Sequence, residues 1–414
     1  MRSGVTDRLA LLTLLGANTI SQVGSALTMI ALPWFVLQTT GSAARTGLTG
    51  SAVALPGFFV GIFGGTLIDR VGYRRSSVIA DLVSGVGIGL VPALYFTVGL
   101  PFWLFLLLVF TGSLLEIPGL TARRSMLPEL ADEAGASLER ANAAFESIQH
   151  LALLLGPPLA GILIIWLRAA SVLWIDAATF GISAILVRIA LPPFRVETPA
   201  ASSERYVDGL VAGLRFLFHD PLLRAMAVTL AIGNAISAPL VSVILPVFAK
   251  RVFGNAADLG LMFTALGAGS LIGATVYGVV GPRLSRRTLW FASYLLMPLA
   301  FWVLASRPSL VVLLAALVLE GIVSGPISPL METIRHERIP VELRGRVFST
   351  YSAISQVASP LGIAVGGFAI GWLGFMPAIL IFAGAYQALA PGMFAVGALR
   401  RMESPAKRGG PSVV

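Results

Sequence analysis

The chain has 414 residues, of which 56% are hydrophobic and 12% charged, with a mean hydropathy of +0.87 and a formal net charge of +9. Soluble domains carry about 25% charge, so the composition excludes a water-soluble globule and makes lipid the solvent. The basic residues are scattered between apolar runs, which excludes a nucleic-acid-binding patch, and with no cysteine in the chain there are no disulfides and no thiolate metal sites.

Residues 1–8 carry two arginines and lead into an apolar run too long for a signal peptide's core, with no small-residue cleavage site after it, so this run reads as a first membrane span. A spanning helix needs about 20 apolar residues. On that criterion the chain yields spans near 9–38, 46–68, 76–98, 102–122, 141–166 and 169–191, then near 222–249, 258–281, 288–306, 309–333, 345–371 and 374–399. The expected fold is an all-α membrane protein with twelve transmembrane helices in two pseudo-symmetric six-helix bundles. Residues 1–191 form the first bundle and 222–399 the second; 192–221 link them, and 400–414 form a cytoplasmic tail.

Within the linker, Pro192 and Pro193 stop span 6, and Val207, Leu210, Val211, Leu214, Leu217 and Phe218 then recur at helical spacing opposite Arg205, Asp208 and Arg215. This predicts a short amphipathic helix on the membrane surface, ended by Pro221. The halves echo each other: Gly57, Gly61, Arg74 and Arg75 recur as Gly269, Gly273, Arg286 and Arg287. Two halves of equal orientation predict a parallel repeat with a substrate path at their interface.

With both termini on one side, 24 of the 29 Lys and Arg residues fall on that side, leaving Arg45, Arg168, Lys250, Arg251 and Arg307 on the other. Positive residues mark the cytoplasmic face, so both termini and the linker are expected in the cytoplasm.

Acids inside the spans cost about 2.5–3.5 kcal/mol each at mid-bilayer. Glu116 in span 4, Asp176 in span 6 and Glu320 in span 10 are the deep ones, with Asp81 and Glu146 shallower. No Lys or Arg falls in the middle of any predicted span, so paired charges are expected to be scarce. Glu116, Glu320 and Asp176 are candidates for proton coupling or for structural hydrogen bonds. His150 in span 5 is a candidate relay or a neutral hydrogen-bonded ring. Asn18 and Gln22, one turn apart on span 1, face either the substrate path or a neighbouring helix.

"GTLIDRVGYRR", between spans 2 and 3, resembles the corresponding loop of the major facilitator superfamily, with pattern G-x-x-x-D-R/K-x-G-x-R/K-R/K. Gly65, Asp69, Arg70, Gly72, Arg74 and Arg75 fill its defined positions. Residues 20–43, the acid in "VIADL", residues 175–184 and "LRGRVFS" resemble the branch of macrolide-type and siderophore exporters. The resemblance implies a gate in which Asp69 meets the start of span 11 at Gly345 and Arg346, with Asp81 joining the charge network of the 2–3 loop. Gly72 suits a turn needing positive φ.

"GPPLAG" is similar to the end of the antiporter signature, with Gly156, Pro157 and Gly161 in place and Ala160 replacing a glycine. The signature's earlier glycines are missing, and span 4 carries Glu116 where the family has an arginine.

No phosphate loop, zinc-spaced histidines or nucleophile elbow is present; neither an enzyme nor a cofactor or metal site is expected. The reading is a proton-coupled secondary transporter exporting amphipathic small molecules. Its partners are a small-molecule substrate, protons and the lipid bilayer, with no nucleic acid, and the family implies a monomer in the cytoplasmic (inner) membrane of a prokaryote. A nutrient uptake symporter and a non-transporting membrane sensor or scaffold are the alternatives.

Overall fold

A computed structural model describes residues 3–191 and 203–402, with side chains described over the same ranges except 3–6, 60–70, 203–210 and positions 342, 349 and 401. Among the described residues there is no β-strand. Backbone amides in hydrocarbon must be satisfied within their own segment, and the chain does this with long helices.

The first half holds α1 (Ser3–Thr40), α2 (Ala43–Val71), α3 (Tyr73–Thr97), α4 (Phe102–Leu114), α5 (Glu116–Glu133), α6 (Leu138–Leu167) and α7 (Ala169–Ala190). The helix α8 (Ser203–His219) follows. Then come α9 (Pro221–Pro239), α10 (Leu245–Phe248), α11 (Ala256–Val280), α12 (Arg286–Leu296), α13 (Leu299–Ala305), α14 (Leu310–Ser324), α15 (Ile327–Arg338), α16 (Arg344–Leu373) and α17 (Phe375–Ala395).

Several of these join into single rods: α4 with α5, α9 with α10, α12 with α13, and α14 with α15. Eleven rods are long and apolar enough to cross a membrane over the described residues, and α2, 29 residues long, makes the twelfth. The twelve-helix membrane fold is thus the one the hydropathy implied.

Prolines explain the breaks. Pro118, Pro298 and Pro326 cannot donate to the carbonyl four residues back, and each rod bends there, at Leu115, Met297 and Gly325. Pro246 lies between two π-helical turns, Leu240–Ile244 and Ala249–Phe253. Helix starts follow side-chain chemistry: Asp220 accepts from the amides of Leu222 and Leu223 at 2.8 and 3.0 Å, with Pro221 at the first helical position.

The chain forms two compact units. The first comprises residues 1–201 together with 242–264. In it α1 and α3 both pack on α7, α6 packs on α1, and α5 packs on α3. Leu14, Met126, Leu127, Leu130, Phe145 and Val187 form an apolar core toward the expected cytoplasmic end. The segment 242–264 joins this unit by backbone contact, since a Cβ on Gly161 would lie 2.7 Å from the Ala256 carbonyl oxygen and one on Gly260 2.4 Å from that of Pro157.

The second unit comprises 202–241 and 265–414. Here α16 packs on α8, α9 and α17, and α17 on α12 and α13. Arg286 donates two hydrogen bonds of 2.7 Å to Glu337, and Arg338 pairs with Asp220 at 2.8 Å. Arg335 lies over the rings of Phe348 and Tyr351 at 4.8 and 4.9 Å. The linker helix α8 sets Gly213 against Arg346 and Thr350 of α16 and leaves Val211 and Phe218 exposed.

Candidate functional site

The first unit contains a column of polar groups along one face of α1. Asn18, Ser21, Ser25 and Thr28 are spaced 3, 4 and 3 residues apart, the interval that keeps side chains on one helix face. Three of them each meet a charged group from α5 or α7. Thr28 donates its hydroxyl to the Asp176 carboxylate of α7. Ser25 hydrogen-bonds Glu116, the first residue of α5. Arg123 of α5 donates to the Ser21 hydroxyl at 3.3 Å.

At the Thr28 end of the column Asp176 is 1% exposed. Its carboxylate occupies a notch left by Gly24, where a Cβ would fall 2.3 Å from Oδ1. Thr179 also donates to that oxygen, at 3.3 Å. Asp176 has hydroxyl partners and no cation within ion-pair distance among the described residues. Glu116 is half-buried at the proline-induced bend, close enough for its charge to act on Asp176.

At the Ser21 end the charges are paired. Arg123 and Asp81, each 2% exposed, form a salt bridge of 2.9 Å. Ser183 of α7 donates to Asp81 at 2.7 Å. Among the described residues Asp81 pairs with Arg123 and Ser183 and not with Arg74 or Arg75 of the 2–3 loop. The expectation that buried pairing is scarce is corrected by the same contact: span 4 does not stop near 122 but continues as α5 to Glu133, which carries Arg123 into the interior. One turn further along α1, Asn18 is fully buried, and neither of its amide atoms has a hydrogen-bond partner among the described residues; nor does Arg123 Nε.

The second unit offers one isolated acid. Glu320 of α14 is 8% exposed, and its Oε2 has no hydrogen-bond partner among the described residues. It lies within electrostatic reach of Tyr386 on α17. Tyr386 stands edge-on to Tyr294 with ring centroids 6.4 Å apart, and Tyr294 contacts Trp290 at 5.2 Å. The setting is aromatic and nearly free of polar partners.

The other sequence candidates are placed as follows. Gly65, Asp69 and Arg70 lie in the last turns of α2, with side chains outside the described residues. Gly72 caps α3 at φ 89°, a conformation a side chain rarely adopts. Arg74 donates to the backbone carbonyl of Arg188, tying α3 to the end of α7, and Arg75 is exposed. Gly345 and Arg346 open α16 and are exposed.

Gly156 faces Ala26 of α1, and the antiporter-like segment containing Gly156, Pro157 and Gly161 is the face of α6 that seats α1 and α11. His150 is exposed on α6 and Gln22 half-buried on α1. Asn18 lies inside the unit's packing. Glu146, shallow in span 5, pairs with Arg124 at 2.5 Å.

Sequence reading missed Arg123, Thr28, Ser21, Ser25, Ser183 and Gly24. The helical spacing of the small polar residues on α1 is the signal that was available for three of them.

Membrane-crossing rods built around buried acids, with hydroxyls and one arginine to solvate them, define a multi-pass membrane transporter. The chain belongs to the Major Facilitator Superfamily, whose sequence profile matches residues 14–256 and 229–413. It is 32% identical to the multidrug efflux pump Tap of Mycolicibacterium fortuitum over 371 residues, covering 87% of this chain and 89% of that one. To the pump of the same name from Mycobacterium tuberculosis (strain ATCC 25618 / H37Rv) it is 34% identical, over 86% of this chain and 85% of the relative. Macrolide efflux protein A of Streptococcus pyogenes is 21% identical over 86% of this chain and 88% of its own length. The fold matches the crystal structure of the nucleoside transporter NupG with a TM-score of 0.75 at 14% identity, covering 94% of this chain and 98% of that one.

Proposed function

We propose that this protein exports amphipathic small molecules, drugs and macrolide- or siderophore-like compounds among them, in exchange for protons by alternating access. The observation that carries the reading is the 32–34% identity to multidrug efflux pumps over most of both chains. The buried acids supply groups able to take up and release protons: Asp176 and Glu116 in the first unit and Glu320 in the second. His150, Gln22 and Asn18 remain proposed members of the relay or substrate path.

Asp69, Arg70, Arg74 and Arg75 with Gly65 and Gly72 are the proposed cytoplasmic gate, with Gly345 and Arg346 as its partner. By this reading residues 1–191 and 222–399 are the two halves, 192–221 their linker and 400–414 a cytoplasmic tail. The protein works as a monomer in the inner membrane with both termini inside and needs no cofactor, metal or nucleic acid.

The test is expression in a bacterial strain lacking its own major pumps, with a fluorescent amphipathic drug and a panel of macrolides, dyes and siderophores. The reading expects lower steady-state accumulation of at least one compound, restored to the control level by a protonophore. Accumulation raised above the control would establish uptake instead, and unchanged accumulation across the panel would leave a non-transporting role.

A further inference from the structure

We propose that the outer rim of the first unit carries a binding site for an oxyanion, a phosphate or carboxylate group, held between Arg168 and Lys250. The site is distinct from the acid column and does not depend on which compound is exported.

The sequence makes cations rare on the expected outer side: five Lys and Arg residues against 24 on the other. Two of the five line one open cavity of about 400 Å³, with Trp34, Gln38, Asn255 and Ile165 among its walls. Among the described residues no carboxylate lines it. Asp258, the nearest acid in sequence, lies outside its wall and forms no ion pair among the described residues.

The lysine side chain is held in place, and the arginine stands at an unusual turn of the backbone. The Lys250 ammonium sits 4.8 Å from the ring centroid of Trp34, itself 2% exposed and therefore a fixed platform. A cation–π contact orients an ammonium without neutralising it. Arg168 turns the chain between α6 and α7 at φ 68°, one of two non-glycine residues with positive φ among those described. Such a conformation is uncommon for a residue with a side chain, and strain of this kind gathers at binding sites. Asn255 uses its carbonyl oxygen to accept from the Ala257 amide at 2.9 Å, leaving its NH₂ as a donor.

The wall thus offers a guanidinium, an ammonium and amide donors with no opposing negative charge, the donor set that recognises oxyanions. Beside it Ile165 and Trp166 are 54% and 78% exposed, so the cavity continues onto apolar surface. A phospholipid headgroup with its acyl chains on that surface and a free phosphate both satisfy this chemistry.

The experiment uses the full-length protein in detergent and reads the thermal unfolding midpoint. One arm adds phosphatidylglycerol against an equal amount of phosphatidylcholine, and the other adds inorganic phosphate against chloride at equal ionic strength. The wild type is expected to gain stability in at least one arm; a gain confined to the first assigns a lipid headgroup, and a gain in the second a free oxyanion. Arg168→Gln and Lys250→Gln are expected to lose most of that gain, while Lys250→Arg and Arg307→Gln, an outer cation outside the cavity, retain it. No gain in either arm, or equal gains in wild type and both glutamine variants, overturns the proposal. If a glutamine variant does not fold, the comparison of the other one with Arg307→Gln decides.

Discussion

Asp176 and Arg123 show two ways a charge can be tolerated inside a membrane protein. Arg123 is paired, and removing one member of a buried pair leaves an uncompensated charge at a cost of about 3–5 kcal/mol. Arg123→Ala and Asp81→Ala are each expected to lower stability by that order. The double variant should lose less than the sum, measured as a double-mutant cycle of unfolding in detergent. Asp176 instead has hydroxyl donors and, among the described residues, no cation within ion-pair distance. Thr28→Val removes one donor to it while keeping the shape, and a hydrogen bond to a charged group contributes about 1.5–3 kcal/mol.

If Asp176 exchanges protons, Asp176→Asn abolishes drug movement driven by a pH gradient in proteoliposomes and leaves drug binding intact, with Thr28→Val intermediate. Loss of binding together with transport would make Asp176 a structural residue. Glu320 has an oxygen without a hydrogen-bond partner among the described residues, in an aromatic setting. Glu320→Gln is the same size and carries no charge, so it is expected to raise the unfolding midpoint while reducing export. A lowered midpoint would mean that the carboxylate has a stabilising partner.

At the scale of elements, the spans were legible because hydrocarbon imposes a length and a composition that hydropathy reads directly. The ends were less so. The run "ARRS" at 122–125 reads as a polar loop by composition, yet helix continues through it because Asp81, 42 residues away, neutralises Arg123. No local window contains that partner. The polar face of α1 was present in the sequence as four small residues at helical spacing, but serines and threonines are ordinary in membrane helices, and only their partners distinguish them.

Glycines in "GPPLAG" suggested an antiporter segment, and the structure gives them a packing role: Gly161 and Gly260 let the α6 and α11 backbones touch. Any side chain larger than hydrogen at either position must push those helices apart. Gly161→Leu and Gly260→Leu are therefore expected to disrupt this seat and slow transport, with Gly181→Leu, where the added atom meets open space, as a tolerated control. Equal transport by all three would separate the seat from function.

At the scale of the whole molecule, the charge asymmetry is the quantity that decides orientation. Twenty-four Lys and Arg residues on one side and five on the other follow from an even number of crossings, and moving any single span boundary across a loop would scatter them. The rule behind the asymmetry concerns loops near the membrane, so it makes a claim about each loop separately. The chain has no cysteine, so a single introduced thiol is the sole target of a membrane-impermeant maleimide. Val98 and Ser306 are exposed residues on the expected outer side, and Glu133 and Leu284 on the inner side. Cysteine at 98 or 306 is expected to label in intact cells. Cysteine at 133 or 284 should label only after permeabilisation, as should one added at either terminus. Labelling of one terminus but not the other from outside would require an odd number of crossings between the termini, and labelling of 133 and 306 from the same side an even number between those two positions. Either result would break the pairing of the two halves on which transport by alternating access depends.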